Sequence, residues 1–367
     1  MSWLKTIPFG DSGQRQETWI YKNARLQKEF HPNVKLGKKL DIVSLKVNEV
    51  EDFKRAVSEV KKSRGKLYAG VNLENVNKCP VCKKPSESSS KVFEVYGAIY
   101  HRCKLCSHIF IIKTPDKAAI ENYYKESKAY QRTYTDKKTA NLRVEQVAKP
   151  KAGWVIDQYK KNFKRNPKSI LDVGAGSGHF VRASRDLGIK AEGIEISNSG
   201  RDFAKKVFDI DLVDADFLEK WRDIGSFDIV TFWGLIEHVP NPVAMLESAR
   251  KLLQKNGGIV TAAVPHWNSM STTVQKNFPK SIVRHLDPLG HINCFTDESI
   301  ATAFVLSGLD IVAAWYFGMD AYEMVMQIAL KMNDKKIIKT LEPYIPSLQE
   351  RFDLSEMSDE IALAGKI

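Results

Sequence analysis

Four cysteines stand in two pairs, Cys79-Pro-Val-Cys82 and Cys103-Lys-Leu-Cys106, with twenty residues between them. Each C-x2-C offers two thiolates from one tight turn, and two such turns at this separation make a tetrahedral zinc site. Four thiolates close the coordination sphere, so the role this pattern points to is structural. A redox role for either pair would need a surrounding βαβ pattern, which the flanking sequence lacks. Between the pairs, residues 91–102 alternate as a hairpin does, which completes the layout of a zinc ribbon. His101 and His108 flank the second pair as spare ligands, and Cys294 stands alone as a packed thiol.

A second constellation lies further along. The run Ile170-Leu171-Asp172-Val173-Gly174-Ala175-Gly176-Ser177-Gly178-His179-Phe180 reads as a strand ending in an acid, a glycine turn and a helix start. Glycines there let a ligand lie against the backbone, and the new helix turns free N–H groups toward it. A P-loop would need Lys-Ser/Thr after Gly178, and a dinucleotide fingerprint would need glycine at His179, so both are set aside. Residues 190–196 form a second strand ending in Glu195, 23 residues past Asp172, where an acid accepts the ribose hydroxyls of an adenosine. Residues 211–217 form a third strand, followed by Asp216 for an adenine amino group and Phe217 to cover the ring. Residues 227–238 form a fourth strand carrying Trp233, with Glu237-His238 beyond it. Residues 252–265 give a helix end, a Gly-Gly turn and a fifth strand.

In this order the motifs resemble a class I S-adenosylmethionine-dependent methyltransferase over about residues 165–320. The matching pieces are Leu-Asp-Val-Gly-Ala-Gly-Ser-Gly, Gly-Ile-Glu-Ile-Ser, Asp-Ala-Asp-Phe, Phe-Asp-Ile-Val, Glu-His-Val-Pro-Asn-Pro and Leu-Gln-Lys-Asn-Gly-Gly. The resemblance implies an α/β fold, a Rossmann-like seven-stranded methyltransferase sheet with an antiparallel last strand, here 360–367. It implies S-adenosylmethionine held by Asp172, Gly174, Ala175, Gly176, Gly178, Glu195, Asp216, Phe217 and Trp233. Transfer to a hydroxyl gains from a base, and His238 is placed for that role past the fourth strand, with Glu237 orienting it. His291 and His285 are second choices. With its zinc module in front, the chain is similar to bacterial methyltransferases that act on sugars, nucleotide-linked or in surface polysaccharides. Some of those transfer to carbon, but here a 78-residue leader replaces a short one and their large C-terminal domain is absent, which favours oxygen as acceptor.

Around these motifs the chain of 367 residues divides into a small α/β extension (1–78), the ribbon (79–115), a tyrosine-rich helical connector or lid (116–165) and the methyltransferase domain (166–367) with a helical insertion at 320–352. In the extension, a strand is expected over 40–45 and a helix over 50–60. Tyr123, Tyr124, Tyr130 and Tyr134 crowd the connector, either packed on the core or lining a pocket. Thr296 is the expected N-cap of the helix after the long connection 266–293. A hydrophobic fraction of 43% excludes global disorder. No apolar run is long enough to span a bilayer and no secretory leader is evident, so the expected location is cytoplasmic. Net charge is uneven: +19 over residues 1–168 and −7 over 169–367. A basic front half fits an anionic partner or simple solubility. Two other readings stay open: an RNA base methyltransferase using the basic ribbon, and a non-catalytic binding module.

Overall fold

The computed structural model describes residues 1–8, 13–38, 72–116, 118–119, 135–255, 257–278, 285–288 and 290–367. The elements expected over 40–45 and 50–60, and the tyrosine-rich stretch 122–134, lie outside the described residues.

One large sheet organises the chain. Its strands are β1 (Gln14–Gln16), β2 (Asn33–Leu36), β3 (Ser169–Val173), β4 (Lys190–Ile194), β5 (Ile229–Trp233), β6 (Ile259–Pro265), β7 (Asp310–Phe317) and β8 (Glu360–Lys366). They lie in the spatial order β4-β3-β5-β6-β8-β7-β2-β1. Strands β3 to β6 pair in parallel, and β8 runs antiparallel between β6 and β7. Parallel strands are covered on both faces, so their sequences are nearly continuous apolar runs. Ile170, Ile229 and Ile259 face a layer of three helices, α1 (Lys149–Phe163), α2 (His179–Asp186) and α3 (Asn198–Phe208). Leu171, Val230 and Val260 face the opposite layer, built on α4 (Pro242–Lys251) and, past the short α5 (Met270–Asn277), on α6 (Asp297–Leu306). Thr296 caps α6 in a reciprocal capping box with Ser299, as its sequence position predicts.

Two expectations about the sheet need correction. The third strand expected at 211–217 is a single parallel bridge, Ile194 to Val213. The segment carries Asp209, Asp211, Asp214 and Asp216 at an exposed edge, and aspartate is a poor strand former. The other edge is extended instead. β2 pairs in parallel with β7, and β1 pairs with β2, so among the described residues the sheet has eight strands rather than seven. The front segment is therefore not a separate extension in its described residues. Its remaining strands, Ser2–Thr6, Thr18–Lys22 and Gln27–Phe30, form a small antiparallel sheet whose Trp19, Tyr21 and Phe30 join the core beside α6. Lys5 ties it down further, with Glu17, Asp297 and Glu356 around its ammonium.

The cysteine pairs frame a hairpin, Ser89–Val95 with Ala98–Cys103, turning on Tyr96 and Gly97 at φ +51° and +86°. Ile109–Ile111 adds a third strand to it. A fourth, Asn293–Cys294, comes from the long connection after β6, so the ribbon shares its sheet with the main domain. Between β7 and β8 sit α7 (Asp320–Met332) and the helices Lys336–Leu341 and Ile345–Leu354, around a small core of Tyr322, Met326, Ile338 and Ile345. Among the described residues, no helix is long and apolar enough to cross a membrane.

Candidate active site

The glycine turn after β3 has the shape its sequence demands. Gly174, Gly176 and Gly178 take φ of +73°, +54° and +76°, where a side chain would be strained. A Cβ at Gly176 would meet open space, so the turn leaves room above itself. A Cβ at Gly200 would lie 2.6 Å from the Gly176 carbonyl oxygen, which shows how closely α3 starts against the turn. Ala175 is buried, and its N–H and that of Gly174 both donate to the Ile194 carbonyl at 2.9 Å.

Glu195 lies under this turn at the end of β4. Its carboxylate accepts from the N–H of Gly176 and of Ser197, each at 2.7 Å. Burial raises its pKa above the ordinary value while those two N–H groups oppose the shift. Asp172 is 2% exposed and accepts from the Thr231 hydroxyl at 2.7 Å. Burial pushes its carboxyl up to about 7. It thus supports the turn from below rather than lining its surface. Asp216 caps the short helix Phe217–Lys220 through the Leu218 N–H at 2.9 Å. Phe217 corrects its expectation: at 3% exposure its ring sits edge-on to Phe232, 5.8 Å away in the core, and covers nothing at the surface. Trp233 is also wedged in, between Phe180 and Trp154, with the Lys151 ammonium 4.8 Å from its ring centre.

The turn after β5 touches the glycine turn, since a Cβ at Gly174 would fall 2.9 Å from a methyl of Leu235. Here the structure brings together Glu237, His238 and His291, each with a ligand atom within 4.8 Å of the others. His238 Nδ1 meets the Gly290 carbonyl at 2.6 Å, and its Nε2 is 3.7 Å from Glu237 Oε1. The rings of His238 and His291 are 4.9 Å apart. Glu237 is 2% exposed, and burial raises its carboxyl to about 8. Burial and the neighbouring His291 push His238 down to about 3, so the expectation of a ring titrating near neutrality is overturned. His285, the other second choice, is buried with Glu323 and Asp359 in a cluster of its own.

Three residues at this end of the sheet carry no motif. Lys151 of α1 sits 3.7 Å from Glu360 and bears on both Asp172 and Glu237. Lys38, just past β2, is pushed down to about 7 by burial and by Lys151. Asn293 donates to the Val239 carbonyl at 2.8 Å, and its N–H donates to the Glu237 carbonyl at 3.0 Å. Each is an ordinary residue in a polar stretch, so only the fold could reveal it.

In the ribbon, Cys79 and Cys106 Sγ lie 3.6 Å apart, and Cys82 and Cys103 Sγ 3.5 Å. All four sulfurs fall within 4.8 Å of one another. A tetrahedral zinc with about 2.3 Å bonds spaces its sulfurs by about 3.8 Å, so the donor set fits the metal. The two knuckles match: Lys83 and Ser107, each four residues past a first cysteine, both take φ of +59° and donate back to its carbonyl at 3.0 Å. His101 and His108 are engaged elsewhere, His101 with Ser89 at 2.9 Å and His108 with Asn293 at 3.0 Å.

Residues 148–314 match the family described as a methyltransferase domain. The chain carries a class I S-adenosylmethionine-dependent methyltransferase domain. That domain is similar to ubiquinone biosynthesis O-methyltransferases. It is 30% identical over 99 residues to the Paraburkholderia xenovorans protein, covering 25% of this chain and 42% of that one. It is 29% identical over 114 residues to the Burkholderia vietnamiensis protein, covering 29% and 47%. The chain thus spans less than half the length of these curated relatives. Among solved structures, it is similar to magnesium protoporphyrin IX methyltransferase from Synechocystis PCC 6803 with bound SAH, at 14% identity and a TM-score of 0.45, covering 68% of this chain and 99% of that one.

Proposed function

We propose that the chain transfers a methyl group from S-adenosylmethionine to a hydroxyl of a small molecule, with zinc held by Cys79, Cys82, Cys103 and Cys106 as a structural ion. The observation that carries this reading is the cluster of Glu237, His238 and His291 at the carboxyl end of β5, against the glycine turn. S-adenosylmethionine supplies a methyl already activated on a sulfonium. The chain's task is then alignment and exclusion of water. Glu195 accepts the ribose hydroxyls, Gly174, Ala175, Gly176 and Gly178 leave room for the nucleoside, and Asp216 addresses its base. Asp172 holds the turn in place, and Trp233 closes the floor. Glu237, His238 and His291 face the acceptor. His238 Nδ1 is committed to the Gly290 carbonyl, which fixes the ring at the end of β5.

A sugar or sugar nucleotide is the first choice of acceptor, on the resemblance that joins the cysteine ribbon to this domain. An intermediate of ubiquinone biosynthesis is the second, supported by the relatives' printed names. The proposed location is cytoplasmic. The test is a methyl-transfer assay against panels of nucleotide sugars and quinone precursors, run on wild type and His238→Ala. The variant should bind S-adenosylmethionine normally and lose ~10²–10⁴-fold in kcat. Equal kcat in the two proteins would reject the site. An RNA acceptor would announce itself by steep loss of affinity with added salt, which a small acceptor lacks.

A further inference from the structure

The α1 layer packs on the sheet through apolar side chains as far as β7. Trp154 of α1 meets Trp315 of β7 with ring centres 5.6 Å apart. One strand further out the face turns polar. Val34 and Leu36 of β2 join the core of the opposite layer, and side chains alternate along a strand, so Asn33 and Lys35 face α1. The Lys35 ammonium lies 4.1 Å from the centre of the Trp315 ring, on that side. Gln16 of β1 stands opposite Asn33 in the register and shares its face. Gly153, Asp157 and Lys161 recur at four-residue steps along α1 and look across at this polar strip. Between helix and strands runs a groove of about 490 Å³, within the range of about 300–1,000 Å³ usual for small-molecule pockets.

Two details of the groove serve nothing else in the fold. Gly153 lies inside α1, where glycine is the least favourable residue after proline. A Cβ there would meet no atom within 4 Å and the backbone is helical, so neither packing nor conformation asks for glycine; it widens the groove. Gln158 also lines the groove, and its buried Oε1 has no hydrogen-bond partner among the described residues. A buried acceptor left unmatched is unfavourable, so a donor is expected there. The charges, by contrast, are mostly answered. Arg15 donates to Glu17 at 2.7 Å and to Glu356, and Asp157 favours the charged form of Lys35. Lys161 is the remaining cation of the lining and is exposed. The side chains of Gln16 and Asn33 make no hydrogen bond to other described residues. Like Gln158, each carries a donor and an acceptor side by side, the pairing that a hydroxyl also carries.

We propose that this groove binds a neutral saccharide, whose hydroxyls meet Gln16, Asn33 and Gln158 while its C–H edges lie against Trp154. Amides pair with hydroxyls in either sense, and the balanced charges give a phosphate or carboxylate little to hold it. Glu237 and His238 do not line the groove, so the inference goes beyond the proposed methyl transfer and does not rest on it.

The experiment is an NMR titration of the full-length protein with maltose, cellobiose, lactose and chitobiose, and with a hexose phosphate as the charged counterpart. At least one neutral disaccharide should shift the side-chain amide signals of Gln16 and Asn33 until they saturate. Gly153→Leu fills the groove and raises helix propensity, so it should fold at least as stably as wild type. It should weaken saccharide binding by ~10-fold or more, as should the surface double variant Gln16→Ala/Asn33→Ala, which decides the matter if the leucine variant does not fold. S-adenosylmethionine affinity should be unchanged in both. The proposal is overturned if no neutral disaccharide gives saturable shifts, if the variants bind as wild type does, or if the hexose phosphate alone binds. A chain that methylates a small acceptor and binds no saccharide here overturns this inference alone, whereas one that binds saccharide and methylates nothing overturns the function alone.

Discussion

The proposed cofactor half of the site comes from one stretch, residues 172–217, in which turn, acid and helix follow one another. The proposed acceptor half gathers Lys38, Lys151, Glu237, His238 and His291 from the front segment, α1, the turn after β5 and the connection after β6. The ribbon buttresses this second half through the strand Asn293–Cys294 and the Asn293 contacts to Glu237 and Val239. The first half is a local structure that a sequence can specify by spacing. The second depends on long-range packing, so perturbing the ribbon should separate the two.

The largest effect should come from Cys103→Ser. Binding of a structural zinc contributes about 10–16 kcal/mol in small zinc modules, so loss of a ligand should unfold the ribbon. Elemental analysis should show the ribbon's zinc gone. Calorimetry should find S-adenosylmethionine affinity within a few-fold of wild type while turnover falls by ~10²-fold or more. If affinity and turnover fall together, the two halves are one unit and the comparison fails.

Asp172 offers a test inside the cofactor half. Its carboxyl is raised from 3.8 to about 7 in the folded protein. Between those values the native state holds a proton that the unfolded chain has released, so stability falls as pH rises through this window and levels off above it. The shift corresponds to roughly 4 kcal/mol at most. Denaturant midpoints across that range should show the slope in wild type and lose it in Asp172→Asn. A slope unchanged in the variant would assign the effect to another group.

Glu195→Ala should weaken S-adenosylmethionine binding by ~1.5–3 kcal/mol, because it removes a charged acceptor and frees the Gly176 and Ser197 N–H groups. Metal content should not change. Unaltered affinity would remove Glu195 from the nucleoside site.

What the sequence made legible follows the same division. The glycine turn, Glu195 and the Cys-x2-Cys pairs were readable because backbone conformation and ligand geometry demand those residue types at fixed spacing. The helical insertion and β8 were readable from periodicity. The errors lie where tertiary context decides. The acidic stretch 211–217 lost its strand to an exposed edge, and Phe217 turned into the core because Phe232 offered a partner. His238 lost its neutral pKa to burial. β1 and β2 could not be assigned to the sheet, because β2 joins it by pairing with β7, nearly the whole chain away, and β1 joins only through β2.

The smallest effect expected concerns the link between ribbon and site. His108 is fully buried, and burial pushes its ring down to about 4, so it is neutral near pH 7. Asn293 uses its amide N–H on the Val239 carbonyl, which leaves Oδ1 as acceptor toward His108 Nε2 at 3.0 Å. His108 therefore donates at Nε2, and Nδ1 accepts from Ser299 at 3.4 Å. His108→Leu fills the space but leaves the Asn293 oxygen without its donor, which should cost about 1–2 kcal/mol of stability. Because Asn293 also holds the Glu237 backbone, kcat should fall several-fold while S-adenosylmethionine affinity stays put. His108→Gln keeps a donor and should recover most of both losses. A glutamine variant as impaired as the leucine one would mean that His108 matters only as packing, and that the ribbon supports the acceptor side through its strand alone.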